Sequence, residues 1–132
     1  MADENVTTGN VVWPLANQQG TINDLAVCNS QTGITSVANH RVFDTFGNLK
    51  SQTNAAVDCL FGFTGRPTDT ASGLQNNLNR WYDAKVGRWA SEDPKGFAAG
   101  QTNLYVYCGN SPTNATDPSG LFTGPNHSSP LK

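Results

Sequence analysis

Arg80-Trp-Tyr-Asp83-Ala-Lys-Val-Gly87-Arg-Trp89 is the stretch that decides the fold, because it occurs earlier in the chain as Arg41-Val-Phe-Asp44-Thr-Phe-Gly47-Asn-Leu49. In both copies an arginine precedes an aromatic residue and an aspartate, and a glycine follows before an apolar residue. This is the chemistry of a hairpin. The aromatic packs, the aspartate side chain accepts turn amide protons, and glycine supplies the positive φ that closes the turn. A weaker echo, Val27-Cys-Asn29-Ser-Gln-Thr-Gly33-Ile34, carries the same logic with asparagine. Units that cannot bury their own faces must stack beside their neighbours into an extended sheet.

Working outward, Val11–Leu15, Ile22–Cys28, Ile34–Phe43 and Asn48–Ser51 read as strands separated by turn residues. Leu74–Tyr82 reads as a single strand with Leu74, Leu78, Arg80 and Tyr82 on one face and Gln75, Asn77, Asn79 and Trp81 on the other. Asn103–Cys108 is the strongest strand signal of all. Thr53–Asp58 is the one helical candidate, one or two turns long and too short to stand alone. The fold class is therefore all-β, a curved antiparallel sheet of short hairpins with little helix. Phe43, Phe63, Leu78, Tyr82, Trp89, Phe97, Leu104, Tyr105 and Tyr107 are the expected core.

The 132 residues amount to about one domain, expected to span 10–121 between a disordered tail at 1–9 and another at 122–132. Only 14% of residues are charged, and neutral polar side chains carry solubility. A net charge of -2 offers no basic footprint for nucleic acid. No apolar run is long enough to span a membrane, and the acidic start, Met1-Ala-Asp-Glu-Asn, is not a signal peptide. Cys28, Cys59 and Cys108 are widely spaced, so they are expected to be reduced and unpaired. With His40 and His127 at no ligand spacing, they predict no metal site.

A second repeated signal is Asp-Pro-x-Gly, at Asp93-Pro-Lys-Gly96 and Asp117-Pro-Ser-Gly120. By itself it is a β-turn. The order of all the pieces is more specific. Arg41-Val-Phe-Asp44 is followed by Phe61-Gly-Phe-Thr-Gly-Arg66, then Asn79-Arg-Trp-Tyr-Asp83 and Val86-Gly-Arg-Trp89. Next come Ser91-Glu-Asp-Pro-Lys-Gly-Phe97, Asn103-Leu-Tyr-Val-Tyr-Cys-Gly-Asn-Ser-Pro112 and Thr116-Asp-Pro-Ser-Gly-Leu121. This order resembles the repeat-associated core domain of the Rhs (YD-repeat) family, with residues 10–38 resembling the preceding repeat.

The resemblance implies a bacterial, toxin-associated context, often secreted or at the cell surface. In it YD repeats wind a β-ribbon into a hollow shell and the core domain closes the shell ahead of a C-terminal toxin. It also implies autoproteolysis of an aspartic-protease kind, with no cofactor. The family's catalytic positions fall on Asp93, Asp117 and Arg80, and the scissile bond on Leu121–Phe122. The chemistry is sound in principle. Paired carboxylates can divide the roles of base and acid, and a guanidinium can orient one of them. The chain departs from the family pattern at Gln75-Asn-Asn-Leu-Asn79, which predicts a thin packing face beneath Arg80, and at Lys95, close to Asp93.

The 11 residues after Leu121 hold no toxin, and the repeats of a full shell are missing. A fragment, a decayed copy and a small protein reusing the fold all fit. The reading favoured by the sequence is a short structural or interaction module, the end piece of an Rhs shell, pairing its strands with other YD-repeat segments or another chain. The alternative is a self-cleaving module acting after Leu121. Sugar binding through Trp13, Trp81 and Trp89 is a weaker third reading.

Overall fold

A computed structural model of the chain describes residues 3–5 and 10–121, with side chains from residue 11 onward. The remainder of the expected tails, including Phe122, lies outside the described residues. The chain divides into two compact units, residues 1–65 and 66–132.

The first unit is a five-stranded antiparallel meander in the order β1-β2-β3-β4-β5. Its strands are β1 (Asp3–Asn5), β2 (Asn10–Ala16), β3 (Ile22–Cys28), β4 (Thr35–Phe43) and β5 (Leu49–Gln52). Pro14 lies beyond the three β2 residues that pair with β1, so its missing N–H interrupts no ladder on that side. Val12, Ile22 and Leu25 form the core, and Val27, Val57, Cys59 and Phe61 pack against it.

The hairpin turns follow one rule. The Gly33 N–H donates to Asn29 O, and the Gly47 N–H to Asp44 O, while the Asn or Asp side chain takes neighbouring amides. Gly47 has φ +94°, and a Cβ there would fall 2.4 Å from the Phe63 ring, so the turn and the ring seat require glycine together.

The second unit has a three-stranded antiparallel sheet, β6 (Gln75–Asn76), β7 (Trp81–Asp83) and β8 (Arg88–Trp89). Its core is aromatic. Tyr82 and Tyr107 rings lie 4.2 Å apart, and Trp89 meets both edge-on at 5.8 and 5.3 Å. Such edge-on pairs align ring edges with ring faces of opposite partial charge. Turns 69–73 and 83–87 repeat the rule of the first unit, glycine N–H to aspartate carbonyl.

The all-β reading holds: the described residues contain short 3₁₀ turns and no α-helix. Three local expectations are corrected. Residues 53–58 form a turn, because the Asn54 carbonyl accepts Val57 N–H and its side chain accepts Ala56 N–H. Asn103–Cys108 contributes one isolated bridge, Val106 with Arg88, instead of a strand. There Asn103 Oδ1 accepts Tyr105 N–H, and Cys108, Gly109 and Asn110 all take positive φ.

Residues 74–82 are two strands joined by a tight loop at Asn77–Arg80, which exchanges the expected places of Asn77 and Leu78 while Arg80 and Tyr82 stay buried. Asn77 is buried and Leu78 is 72% exposed. Of the expected core, Phe63, Tyr82, Trp89 and Tyr107 are buried, whereas Phe97 and Tyr105 are exposed. Trp89 is a core residue, while Trp13 and Trp81 are nearly half exposed. No helix among the described residues is long and apolar enough to cross a membrane.

Candidate functional site

Arg80 closes the loop 77–80 just before strand β7, and the fold buries it to 3% exposure. Its guanidinium plane lies 4.2 Å over the Trp89 ring, a cation–π seat that uses the aromatic core as a floor. Four oxygens surround it. Nη2 meets Asp93 Oδ2 at 3.1 Å and Asp117 Oδ2 at 3.6 Å, Nε donates to Gly120 O at 2.5 Å, and Nη1 donates to Leu104 O at 3.3 Å.

Asp93 and Asp117 are themselves 7% and 3% exposed, so the guanidinium and the two carboxyl groups share one buried cluster. Burial holds the Arg80 guanidinium below its ordinary value, and the charge interaction with Asp93 and Asp117 offsets only part of that lowering. Cys108 adjoins the cluster; burial pushes its thiol up to about 12, so it is a neutral neighbour at physiological pH.

The two Asp-Pro-x-Gly motifs are turns and cluster members at once, through different oxygens. Asp93 Oδ1 accepts Lys95 N–H at 2.8 Å and Asp117 Oδ1 accepts Leu121 N–H at 3.1 Å, closing the turns. The second oxygen of each is left for Arg80. Lys95 reaches Asp93 through its backbone, and its side chain is exposed.

The segment 117–121 is held by residues that sequence reasoning passed over. Asn77 Nδ2 donates to Asp117 O at 2.7 Å, and Asn79 donates to Ser119 O through both its side chain, at 2.9 Å, and its backbone N–H, at 3.2 Å. With Arg80 on Gly120 O, three carbonyls near the end of the described chain, those of Asp117, Ser119 and Gly120, are gripped by one loop. The amide-rich stretch expected to leave a thin face is this grip. Its signal in the sequence was weak, because asparagines in a polar chain read as solvent-facing.

Among the described residues no group of three metal-binding side chains occurs, and the three cysteines are free. Thus the structure brings Arg80, Asp93 and Asp117 together, with Leu121 hydrogen-bonded to Asp117. Phe122 lies outside the described residues.

No family model matches the chain. Among curated proteins it is 48% identical over 60 residues to Toxin protein Tse5 of Pseudomonas aeruginosa, a match covering 46% of this chain and 4% of Tse5. It is 37% identical over 76 residues to Probable deoxyribonuclease RhsB of Dickeya dadantii, covering 58% of this chain and 5% of that protein. The chain thus spans only a small part of these relatives.

Among solved structures, TcdB2-TccC3 without its hypervariable C-terminal region aligns with a TM-score of 0.74 at 23% identity, covering 90% of this chain and 5% of that one. That likeness is one of fold. Joined to the sequence matches with Rhs-named and toxin-named proteins, it makes this chain a relative of the Rhs family.

Proposed function

We propose that the chain is the core-associated end module of an Rhs-type β-shell, and that Arg80, Asp93 and Asp117 form its self-cleaving site, cutting at Leu121–Phe122. The observation that carries this reading is the pair of buried aspartates on one arginine nitrogen, with Asp117 four residues before Leu121. Two buried carboxylates around one guanidinium are a poor source of stability compared with packed apolar side chains. Such clusters concentrate at functional sites.

The chemistry is hydrolysis. One carboxylate takes a proton from water, and the water oxygen bonds to the Leu121 carbonyl carbon. The other carboxyl group supplies the proton with which the Phe122 nitrogen leaves. Arg80 holds both acids on one nitrogen, and the grip on 117–121 makes the reaction intramolecular.

Intact mass spectrometry of the purified full chain tests this. A fragment ending at Leu121 is expected in the wild type and absent from Asp93→Asn and Asp117→Asn. Asp-Pro bonds break spontaneously in acid, but that scission ends fragments at Asp93 or Asp117. A wild-type chain that stays whole would overturn the self-cleavage reading.

A second reading keeps the cluster as a lock alone. Arg80 already has four oxygen partners, enough to secure the segment without chemistry. The module then acts through the outer edges of β1 and β5, which end the five-stranded sheet and can pair with other YD-repeat segments or another chain.

A further inference from the structure

Leu78 sits at φ +67° with its side chain 72% exposed. A bulky residue in the left-handed region is strained, and such strain persists only where the surroundings hold it. Here the surroundings are a closed loop. Asn77 N–H donates to Arg80 O at 3.0 Å, Asn79 N–H to Asn77 O at 2.9 Å, and Leu78 N–H to Asn76 Oδ1 at 2.9 Å. The effect is to bring Arg80 onto the same segment as the side chains of Asn77 and Asn79, although alternation along a strand would put Arg80 on the opposite face.

What they meet is main chain: Asp117 O, Ser119 O and, through Arg80, Gly120 O. No side chain of the segment is read by these three contacts. Besides Asp117, whose carboxyl group meets Arg80, the segment's sequence is constrained at Gly120, where φ is +72° and a Cβ would fall 2.8 Å from Asn77 O and 3.0 Å from Arg80 N.

We propose that the loop Asn77–Arg80 is a main-chain clamp whose ligand is the chain's own Asp117–Leu121 segment, and that Asn77 and Asn79 are positioning residues fixing which peptide bond reaches the two aspartates. The inference rests on the self-cleavage reading and deepens it. A clamp on carbonyls counts residues from Gly120, so the bond cut is set by distance along the backbone and not by the side chain of residue 122. The asparagines themselves touch no reacting atom.

The test uses Asn79→Asp in the full-length chain. It is isosteric, at an exposed position, and replaces the side-chain donor to Ser119 O by an acceptor. Hydrogen exchange of the amides at 119–121 is read by mass spectrometry on the purified protein, cut or uncut, since the segment precedes the bond. About tenfold faster exchange there is expected, with the Tyr82 and Trp89 amides unchanged as a report on folding.

Gly120→Ala is the second variant. It forces the segment off the clamp from the opposite side and is expected to give the same local loss while leaving the clamp residues intact. Unchanged exchange at 119–121 in both variants overturns the clamp.

Cleavage supplies the readout that a purely structural role would not move. Where the wild type gives a single terminus at Leu121, Asn79→Asp is expected to cut several-fold more slowly and with mixed termini. A clean Leu121 terminus at the wild-type rate from Asn79→Asp overturns the register role while leaving self-cleavage standing. An uncut wild type removes the self-cleavage reading and the register role together, and the exchange data still decide whether the clamp holds its segment.

Discussion

Arg41 and Arg80 open the same sequence motif, one in each unit, and both are almost fully buried, yet they are answered by different chemistry. Arg41 is met by backbone. Its Nη2 donates to Ile22 O and Phe61 O, both at 2.9 Å, and its one carboxylate partner, Asp58 at 3.1 Å, is exposed. Arg80 is met by two carboxylates as buried as itself.

In the first unit the arginine ties β4 to the 58–61 stretch, and carbonyls suffice for that. In the second, two carboxyl groups have been brought out of water to reach it. The comparison separates what the hairpin motif needs from what has been added to it. A buried guanidinium serves the fold in either unit, and the aspartate pair belongs to the second unit alone.

The sharpest way to break this comparison is to truncate each arginine. Arg80→Ala leaves two buried carboxylates without their cation and is expected to cost about 3–5 kcal/mol. Arg41→Ala leaves carbonyls short of a donor and frees an already exposed Asp58, for about 1–3 kcal/mol. Urea denaturation of both variants beside the wild type measures the gap. Equal losses would mean that the two arginines do the same structural work and that the aspartates add nothing of their own.

The same contrast explains what could be seen in advance. Ile22–Cys28 is legible to the residue because Ile22, Leu25, Ala26, Val27 and Cys28 make an apolar-rich segment bounded by Gly20 and Asn29. The turns were legible because Asn29, Asp44 and Asp83 use side-chain oxygens as their types prefer.

Arg80, Asp93 and Asp117 could be picked out only through the order of the motifs, since each aspartate is also a sufficient turn former. The clamp was not legible. Nothing marks leucine as a turn residue, so strand alternation sets Leu78 on the apolar face and Asn77 on the opposite one. Asn103–Cys108 failed for the converse reason: strand-forming side chains there serve a chain path set by Asn103 and by positive φ at Cys108.

Leu78 gives a second, smaller way to sharpen the comparison. The hairpin turns 29–33 and 44–47 of the first unit place glycine at positive φ, at Gly33 and Gly47, whereas the clamp loop of the second unit places leucine there. Leu78→Gly removes the clash of Cβ in the left-handed region and loses little burial, so it is expected to stabilise the protein by about 1 kcal/mol in thermal or urea unfolding. A loss of that size instead would show that Leu78 packs in a way its exposure does not suggest.

The smallest effect compares the aspartates that close the two motif turns. Asp44 Oδ1 accepts the N–H groups of Phe46 and Asn48, while Oδ2 accepts Asn48 Nδ2 and faces Lys50 Nζ at 3.6 Å. Among the described contacts Asp83 Oδ1 accepts Lys85 N–H. Partial burial pushes the Asp44 carboxyl up, but the bonds from Asn48 and Phe46 and the charge of Lys50 outweigh it, so it lies below its ordinary value.

A carboxylate lowered in the folded state stabilises fully above its unfolded value, near pH 4, and that contribution is lost as pH falls through the lower folded value. Asn in place of Asp44 keeps an Oδ1 acceptor and removes the charge. Asp44→Asn is therefore expected to lower stability slightly at pH 7, by less than about 1 kcal/mol as for other exposed ion pairs, and to match the wild type near pH 2. Chemical denaturation at the two pH values reads the difference directly. A deficit that persists undiminished in acid would mean that the Asp44 turn is held by geometry alone, as a neutral side chain could hold it.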